Sequence, residues 1–288
     1  MRYGAQQVAP IPAALKTPLN LWLLLAVVAL ALAGCGTSGK PADQVAGAAK
    51  KTLALHWVRY NLTFERPRLF DPSIQIVGGR AAYNLDARLG YAFLDLQRQG
   101  SGSQVLWFDL TPTTLLVDPD PPPAGLLPVG KAWISVRLSG ADALAGQAEG
   151  LGPELPLHEL AWGAQEATHV GSSVAGHVPM DEYRVTVDLR KVLRAAQAAH
   201  LDALAAAITG ELRASPSGRL SLLVWVNGPG YVSRIDGIVP GTGLGTVSLA
   251  FTSFRLRYTG TLPPSTQTVP LAGVSPGARS VWAVGTGS

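Results

Sequence analysis

Residues 170–189 read VGSSVAGHVPMDEYRVTVDL, and residues 220–235 read LSLLVWVNGPGYVSRI. In the first segment Tyr183, Val185 and Val187 alternate with polar residues, so an extended chain carries them on one face. This pattern predicts an antiparallel strand with one buried face and one solvated face. We expect the neighbouring segments of the chain to form a sheet around this strand.

The second segment predicts another strand and a hairpin. Leu222, Val224 and Val226 alternate along it, and the residues at 227–230 read NGPG, which is typical of a turn between two strands. Between the two segments, the apolar residues of 190–212 recur at helical spacing. The sequence therefore predicts one long helix that lies across the sheet formed by its flanking strands.

Further strands are predicted on both sides of this stretch. Residues 53–65 alternate with one apolar face, which consists of Val58, Tyr60, Leu62 and Phe64. Closely spaced apolar segments then suggest an antiparallel meander, at 74–85, 89–97, 104–117, 132–138 and, near the end, 246–258. The segment at 132–138 carries Ile134, Val136 and Leu138 on one face. Residues 140–164 predict a loop and a short helix.

Composition favours a folded, exported protein. The chain has 288 residues, of which 47% are hydrophobic and 15% charged, and this is enough to build a packed core. The net charge of +4 includes Arg2 and Lys16, which lie in a segment that we expect to be removed. The basic residues form no cluster, so binding to nucleic acid is not expected. With a single cysteine, the chain forms no internal disulfide.

The N-terminus has the pattern of a bacterial lipoprotein signal. An apolar run at 21–33 is too short to span a bilayer, which takes about 20 residues, and Leu32-Ala33-Gly34-Cys35 follows it. This segment looks like a lipobox, in which Cys35 receives a diacylglycerol and becomes the mature N-terminus. Two alternatives remain open: an unmodified Cys35 in an uncleaved anchor, and a start codon downstream of Met1.

The domain organisation follows from these signals. We predict a signal peptide at 1–34, a lipidated tether at 35–42, one folded domain at 43–260 and a loose tail at 261–288. Asp43 is the expected N-cap of a first short helix that ends near Lys51. The predicted location is the outer face of the cytoplasmic membrane.

Catalytic and metal-binding motifs are incomplete in this sequence. The histidines show no HxxxH or HExxH spacing, so no metal site is predicted. The residues at 171–176 read GSSVAG and approach the GxSxG pattern, but Ala175 replaces its final glycine. The glycine-rich residues at 241–245 precede a strand and not a helix, which argues against a phosphate site. We therefore predict neither an enzyme nor a cofactor.

The order of these elements resembles the LppX/LprA/LprF/LprG lipoproteins, a branch of the LolA/LolB-like fold. The resemblance rests on the lipobox, the meander, the segment 130–136 (GKAWISV), the strand at 183–189 and the Val-Trp-Val strand with its glycine turn. It implies an α+β fold: a single strongly curved antiparallel sheet, an incomplete barrel, with helices covering its open, concave side. It also implies a hydrophobic cavity for acyl chains. The chain departs from the family in its Asp-Pro-rich loop at 118–123 and in its C-terminal tail.

The functional prediction is a lipoprotein that binds a lipid or glycolipid and carries or presents it in the cell envelope. We expect a monomer, with an envelope transporter as a possible protein partner. The alternative is a structural or sensory lipoprotein with a packed core that binds a protein. The predicted lining of the cavity consists of Val58, Tyr60, Leu62, Phe64, Ile134, Val136, Leu138, Val185, Val187, Leu222, Val224 and Val226.

Overall fold

The computed structural model describes residues 39–65, 74–98, 103–110, 114–118, 127–137, 152–175, 177–238, 246–254, 263–270 and Gly273. The residues from Lys40 onward belong to one compact unit. Among the described residues no helix is both long and apolar enough to cross a membrane. Cys35, the signal peptide and half of the predicted tether lie outside the described residues.

The helices and strands occur in a mixed order along the chain. The α-helices are α1 (Pro41–Leu53), α2 (Glu154–Gly163), α3 (Leu189–Ala198) and α4 (Asp202–Ala214). The first six strands are β1 (Trp57–Glu65), β2 (Ile74–Asn84), β3 (Leu89–Arg98), β4 (Ser103–Leu110), β5 (Thr114–Asp118) and β6 (Trp133–Arg137). The others are β7 (Ala164–Ala175), β8 (Val178–Asp188), β9 (Arg219–Asn227), β10 (Val232–Ile238), β11 (Thr246–Ser253) and β12 (Thr268–Pro270).

The described strands form one 12-stranded sheet in the order β12-β6-β5-β4-β3-β2-β1-β11-β10-β9-β8-β7. Neighbouring strands are antiparallel, except that β12 runs parallel to β6. The sheet does not close, because β12 and β7 are its edges. Register shifts in β1, β2, β7 and β10 are the kind of bulge that bends a strand. The predicted fold class, an α+β domain with an open antiparallel sheet, is confirmed.

Period-two alternation correctly identified the buried faces of the central strands. Val58 and Tyr60 of β1 are buried, as are Val185 and Val187 of β8. These side chains form one hydrophobic cluster with residues of the helices, such as Val192 of α3. Alternation works here because helices cover one face of these strands and water reaches the other.

Helix α1 begins three residues earlier than predicted, and Asp43 is not its N-cap. Lys40 is the cap residue, without a side-chain cap bond, and Pro41 occupies the first turn, where a missing N–H costs nothing. Asp43 instead lies in the first turn, where a negative charge is favourable. At the other end, the buried Thr52 Oγ1 accepts a hydrogen bond from the Val232 N–H at 3.0 Å. This bond joins α1 to β10.

The single helix predicted at 190–212 is wrong: the chain forms two helices, α3 and α4. His200 has a left-handed φ of 55°. The Leu201 N–H donates to the Ala196 carbonyl, and the His200 N–H donates to the Gln197 carbonyl. These two bonds make a Schellman ending of α3. A histidine occupies the position where glycine is usual, so no local stop signal marks this helix end.

The start of α3 also differs from the prediction. Asp188, expected on the wet face of a strand, is the N-cap of α3 and accepts hydrogen bonds from the N–H groups of Arg190 and Lys191. Leu189, expected at the end of the strand, is the first residue of the helix and is fully buried. The strand therefore passes directly into the helix without an intervening loop.

Two further differences concern the strands. The segment predicted at 104–117 forms two antiparallel strands, β4 and β5. The tail expected to be loose contains a short 3₁₀ helix (Ser265–Gln267) and β12, whose Val269 is buried against the core. Parallel pairing of three residues with β6 is a tertiary contact that the local sequence does not indicate.

Candidate functional site

An apolar cleft lies between the inner face of β9, β10 and β11 and the helices α2 and α4. Its cavity volume is about 30 Å³, which is room for one or two water molecules. We call it the acid-lined cleft, and its lining consists of Leu155, Pro156, Glu159, Glu211, Leu220, Leu222, Ile235, Gly237, Val247 and Leu249. All but two of these residues are non-polar.

The sheet side of the cleft results from register and from one glycine. Ile235 pairs with Leu249, and Gly237 pairs with both Leu222 and Val247, so their inward faces are adjacent. A Cβ atom at Gly237 would lie 2.2 Å from Leu222 Cδ2. Because Gly237 has no side chain, the Leu222 side chain occupies the space beside it. A larger residue at this position would push Leu222 into the cleft.

Glu159 and Glu211 form a buried carboxyl pair on the helix side of the cleft, which we call the acid pair. Glu159 of α2 is 2% exposed, and Glu211 of α4 is 5% exposed. The two carboxyl groups hydrogen-bond to each other. Glu159 Oε1 and Glu211 Oε2 have no hydrogen-bond partner among the described residues. A buried acceptor without a partner costs about 1–3 kcal/mol, so the fold retains these groups at a loss of stability.

Burial determines how the acid pair titrates. Desolvation, and then the charge of Glu211, raise the pKa of Glu159 well above its usual value. Burial likewise raises the pKa of Glu211, while its hydrogen bond with Glu159 lowers it by less. The pair therefore holds a proton at pH values where an exposed carboxyl group has lost its own.

Glu154, which lies on the same helix as Glu159, differs from the acid pair because its carboxylate has hydrogen-bond partners. Glu154 Oε2 accepts hydrogen bonds from Arg88 Nε at 2.9 Å and from the Tyr83 hydroxyl at 3.2 Å. This cluster fastens the β2–β3 turn to the start of α2. Burial, and then the Arg88 charge, lower the pKa of the adjacent His158 to about 4, and its ring lies 4.2 Å from that of Trp162. The neutral histidine is thus a packing residue.

The structure brings most of the predicted cavity residues together as one buried cluster. Val58, Tyr60, Leu62, Phe64, Ile134, Val185, Val187, Leu222 and Val224 all belong to it, and Val226 packs against it half-buried. Leu222 is the member of this set that lines the acid-lined cleft. Val136 lies within β6 and Leu138 lies outside the described residues.

The near-match to a nucleophile motif lies on the exposed hairpin of β7 and β8. The Ser172 hydroxyl donates to Asp181 Oδ1 at 2.7 Å, and His169 Nε2 is 3.4 Å from the same hydroxyl. Because the Ser172 hydroxyl already donates its hydrogen bond to Asp181, His169 is not positioned to act as a base for Ser172. The side chains of His169 and Asp181 are 49% and 55% exposed, so water competes for every group. No group of three potential metal ligands occurs among the described residues.

The sequence analysis missed the acid pair, although a signal for it exists. Glu211 follows Leu204 and Ile208 at helical spacing, and Glu159 follows Leu155 by one turn. Each glutamate therefore occupies a position where the apolar stripe of its helix continues. A charged residue within such a stripe is an uncommon choice, because carboxylates are rarely fully buried without a partner.

The fold and the cleft define a class of protein: an α+β domain in which an open antiparallel sheet and a layer of helices enclose an apolar cleft. A search of solved structures returns LprF from Mycobacterium bovis, with 14% identity, a TM-score of 0.44, and coverage of 78% of this chain and 99% of that chain. It also returns the lipoprotein LppX from Mycobacterium tuberculosis, with 12% identity, a TM-score of 0.40, and coverage of 73% and 92%.

A third structural match is a DUF1329 family protein from Desulfovibrio piger, with 10% identity, a TM-score of 0.32, and coverage of 77% of this chain and 96% of that chain. LprF and LppX are also two of the proteins that the order of sequence elements resembles. No protein-family model matches the sequence, and no curated protein matches it significantly.

Proposed function

We propose that this protein is a lipoprotein of the cell envelope that binds a lipid or lipid-linked molecule in the acid-lined cleft and carries or presents it. The observation that supports this proposal is the cleft itself, lined by Leu155, Leu222, Ile235 and other apolar residues between helix and sheet. Its cavity volume of about 30 Å³ is well below the ~300–1,000 Å³ typical of small-molecule sites, so the proposal requires α2 and α4 to move away from the sheet as the ligand enters.

Hydrocarbon burial supplies the driving force in this proposal. Each methylene group removed from water contributes ~0.8 kcal/mol, so an alkyl segment of several carbons gains several kcal/mol, which offsets the cost of opening the cleft. No covalent step is needed. We also propose that the domain is not an enzyme, because hydrocarbon burial needs no chemical step.

The anchor is the second part of the proposal. Cys35 in its lipobox is proposed to hold the mature protein at the outer face of the cytoplasmic membrane. Replacing it, Cys35→Ala, is expected to prevent lipidation and release the processed protein into the soluble fraction, since a lipid anchor is then absent. A variant that remains in the membrane fraction after a high-salt wash would contradict this anchor.

A second candidate function is a partner-binding envelope lipoprotein with a filled core. Two observations favour it: the predicted cavity residues form a continuous buried cluster, and the edge strand β7 is exposed along most of its length. Val170 and Val174 on this strand are 46% and 70% exposed. Unpaired strand edges are common sites of strand addition by another chain.

Native mass spectrometry of the mature protein from its own host distinguishes the two functions. The cleft proposal predicts a non-covalent adduct of lipid mass in addition to the anchored form. Val247→Phe, which places an aromatic ring in the cleft, is expected to remove the adduct. The matched change at the exposed Val178, Val178→Phe, is expected to retain it. An unliganded wild-type protein that instead co-purifies with a stoichiometric protein would favour the second candidate.

A further inference from the structure

The end of the β7–β8 hairpin carries a cluster of exposed apolar side chains. Among the described residues, three of the four exposed large hydrophobic side chains lie on this hairpin: Val170, Val174 and Val178. Val174 pairs with Pro179, Ala175 pairs with Val178, and we call these four exposed residues the hairpin tip. Single exposed apolar residues are common on protein surfaces. A cluster of them that is bounded by polar residues instead marks contact with a protein or a membrane.

The hairpin tip is apolar on both of its faces. Paired residues share a face and successive residues alternate, so Val174 and Pro179 lie on one face and Ala175 and Val178 on the other. Residues 174–180 read VAGHVPM and contain no aspartate, glutamate, lysine or arginine. A chain that added a strand to β7 would bind its backbone edge, and a protein docked on the sheet would cover one face only. Apolar side chains on both faces match surroundings that are apolar on every side, as in a lipid bilayer.

The length of the hairpin tip fits the depth of shallow membrane insertion. Asp181 is the first charged residue after the tip on β8, and its carboxylate accepts a hydrogen bond from the Ser172 hydroxyl across the hairpin. At a rise of ~3.3 Å per residue, Asp181 lies about 10 Å along the strand from Val178. Amphipathic segments on membranes bury their apolar side to a depth of ~5–10 Å. Ser172 and Asp181 would therefore lie at the level of the lipid headgroups.

The start of α1 lies beside the same hairpin. The Tyr183 hydroxyl of β8 donates a hydrogen bond to Gln44 Oε1 in the first part of α1, at 3.1 Å. Tyr183 is five residues from Val178, which is about 17 Å along the strand. The chain from Cys35 to Pro41 spans at most about 20 Å when fully extended. A lipid on Cys35 would therefore hold the start of α1 close enough to the bilayer for the hairpin tip to reach the same surface.

We propose that the hairpin tip inserts into the bilayer surface beside the lipid on Cys35 and thereby fixes the orientation of the domain on the membrane. This inference rests on the proposed anchor, because a short apolar tip alone holds a protein only weakly and reversibly. A lipid on a tether leaves the domain free to rotate. A second contact selects the side that faces the bilayer, which here is the β7 edge of the sheet.

Thiol labelling in a lipid bilayer tests this orientation. Cys35 is the only cysteine of the chain, and lipidation blocks its thiol, so an introduced cysteine is the only reactive one. Val174→Cys, Glu166→Cys and Val129→Cys are labelled with the fluorophore NBD in the mature lipidated protein. The nanodiscs consist of phosphatidylcholine and phosphatidylglycerol, with or without doxyl groups on the acyl chains. The doxyl groups quench a fluorophore that enters the bilayer.

Quenching is expected to decrease along β7. Glu166 is eight residues from Val174, about 26 Å along the strand, so quenching at Val174 is expected to exceed that at Glu166 by about threefold or more. Val129 is fully exposed and precedes β6, next to the opposite edge of the sheet, so its fluorophore is expected to remain unquenched. This control also reports whether the fluorophore enters the bilayer by itself.

A charge in the hairpin tip should reverse the insertion. Val178→Asp, added to Val174→Cys, is expected to remove most of the quenching, because a carboxylate is costly to transfer into an apolar layer. Thr168→Asp adds the same charge at an exposed position of the same strand and is expected to leave the quenching unchanged. Circular dichroism verifies that both variants are folded, and the gradient along β7 tests the proposal without them.

The possible failures separate the two proposals. If NBD labels the unsubstituted protein, the Cys35 thiol is free, the proposed anchor is wrong, and this inference fails with it. If the unsubstituted protein stays unlabelled but Val174 is quenched no more than Glu166 and Val129, the anchor is correct and the hairpin tip does not insert. The exposed valines would then belong to a contact with another protein, such as an added strand at β7.

Discussion

Two parts of the same helix layer meet the sheet in different ways. In the first, which we call the closed contact, Val45 and Ala49 of α1 and Val192 and Ala196 of α3 are fully buried. In the second, the acid-lined cleft, α2 and α4 present the acid pair to a space that the side chains do not fill. The comparison teaches that one layer can provide stability at one position and lose stability at another, where buried carboxyl groups replace apolar side chains.

The largest difference in unfolding free energy between the closely packed core and the cleft is expected when a buried leucine is truncated to alanine. Leu157 of α2 is fully buried outside the cleft lining, whereas Leu249 lines the cleft. Leu157→Ala creates a new cavity and is expected to cost about 3–5 kcal/mol of unfolding free energy. Leu249→Ala enlarges an existing space and is expected to cost about 2 kcal/mol. Urea denaturation of both variants measures the difference, and equal losses would show that the cleft is as tightly packed as the core.

Enlarging a side chain is also expected to cost more in the core than in the cleft. Val58→Phe forces a ring into the core and is expected to cost about 1–3 kcal/mol. Val247→Phe places a ring beside a cavity of about 30 Å³ and is expected to cost about 1 kcal/mol, while it excludes an alkyl ligand. Thermal unfolding monitored by circular dichroism checks both values. A severe loss of stability in Val247→Phe would mean that the cleft offers no room.

The acid pair predicts a particular dependence of stability on pH. Its raised pKa values mean that the folded state holds protons that the unfolded chain has released, so stability falls as the pH rises above the usual carboxyl value of 4.5. The slope per group is at most about 1.4 kcal/mol per pH unit. His158, with its pKa lowered to about 4 from 6.5, acts in the opposite direction, because stability falls as the pH drops from 6.5 toward 4.

Comparison of the wild-type protein with Glu159→Gln isolates the acid pair, because His158 is present in both. As the pH rises above 4.5, urea denaturation is expected to show that the stability of the wild-type protein falls relative to that of Glu159→Gln. The exposed Glu166→Gln serves as the control and is expected to retain the wild-type profile. Identical profiles for the wild-type protein and Glu159→Gln would indicate that burial does not raise the pKa of Glu159.

The smallest effect is expected at the start of α3. Asp188→Ala removes the cap that receives the Arg190 and Lys191 N–H groups and is expected to cost about 1 kcal/mol. The cap residue of α4, Leu201, makes no side-chain cap bond, so Leu201→Ala should lose packing only. Hydrogen exchange of the first turn of each helix resolves these effects. An unchanged first turn of α3 in Asp188→Ala would show that packing alone holds it.

The sequence predicted the fold well where burial is one-sided. Alternation identified the inner faces of β1 and β8 because water contacts one face and helices the other. It could not identify the break between α3 and α4 at His200, because a histidine with a left-handed φ leaves no local signature in the sequence. It also missed that Asp188 caps α3, because Asp188 continues the alternating pattern of the strand. Pairing of β12 with β6 depends on a contact between distant segments.

The candidate site was predicted less completely, for a physical reason. Period-two patterns show which residues face inward but not whether their side chains fill the interior or leave a space. The acid pair was missed because a glutamate in a helix is normally solvated, and only the tertiary arrangement brings Glu159 and Glu211 together. A charge that interrupts an apolar helical stripe was the one available signal.

Hydrogen exchange with and without 1-decanol tests the central claim most directly, because it reports on the cleft and the closed contact in one experiment. If the acid-lined cleft holds an alkyl chain, decanol is expected to slow exchange in α4 and β11 and to leave α1 and α3 unchanged. Val247→Phe should abolish the slowing. Slowing confined to α1 and α3, or no change anywhere in the wild-type protein, would contradict the claim that this cleft binds hydrocarbon.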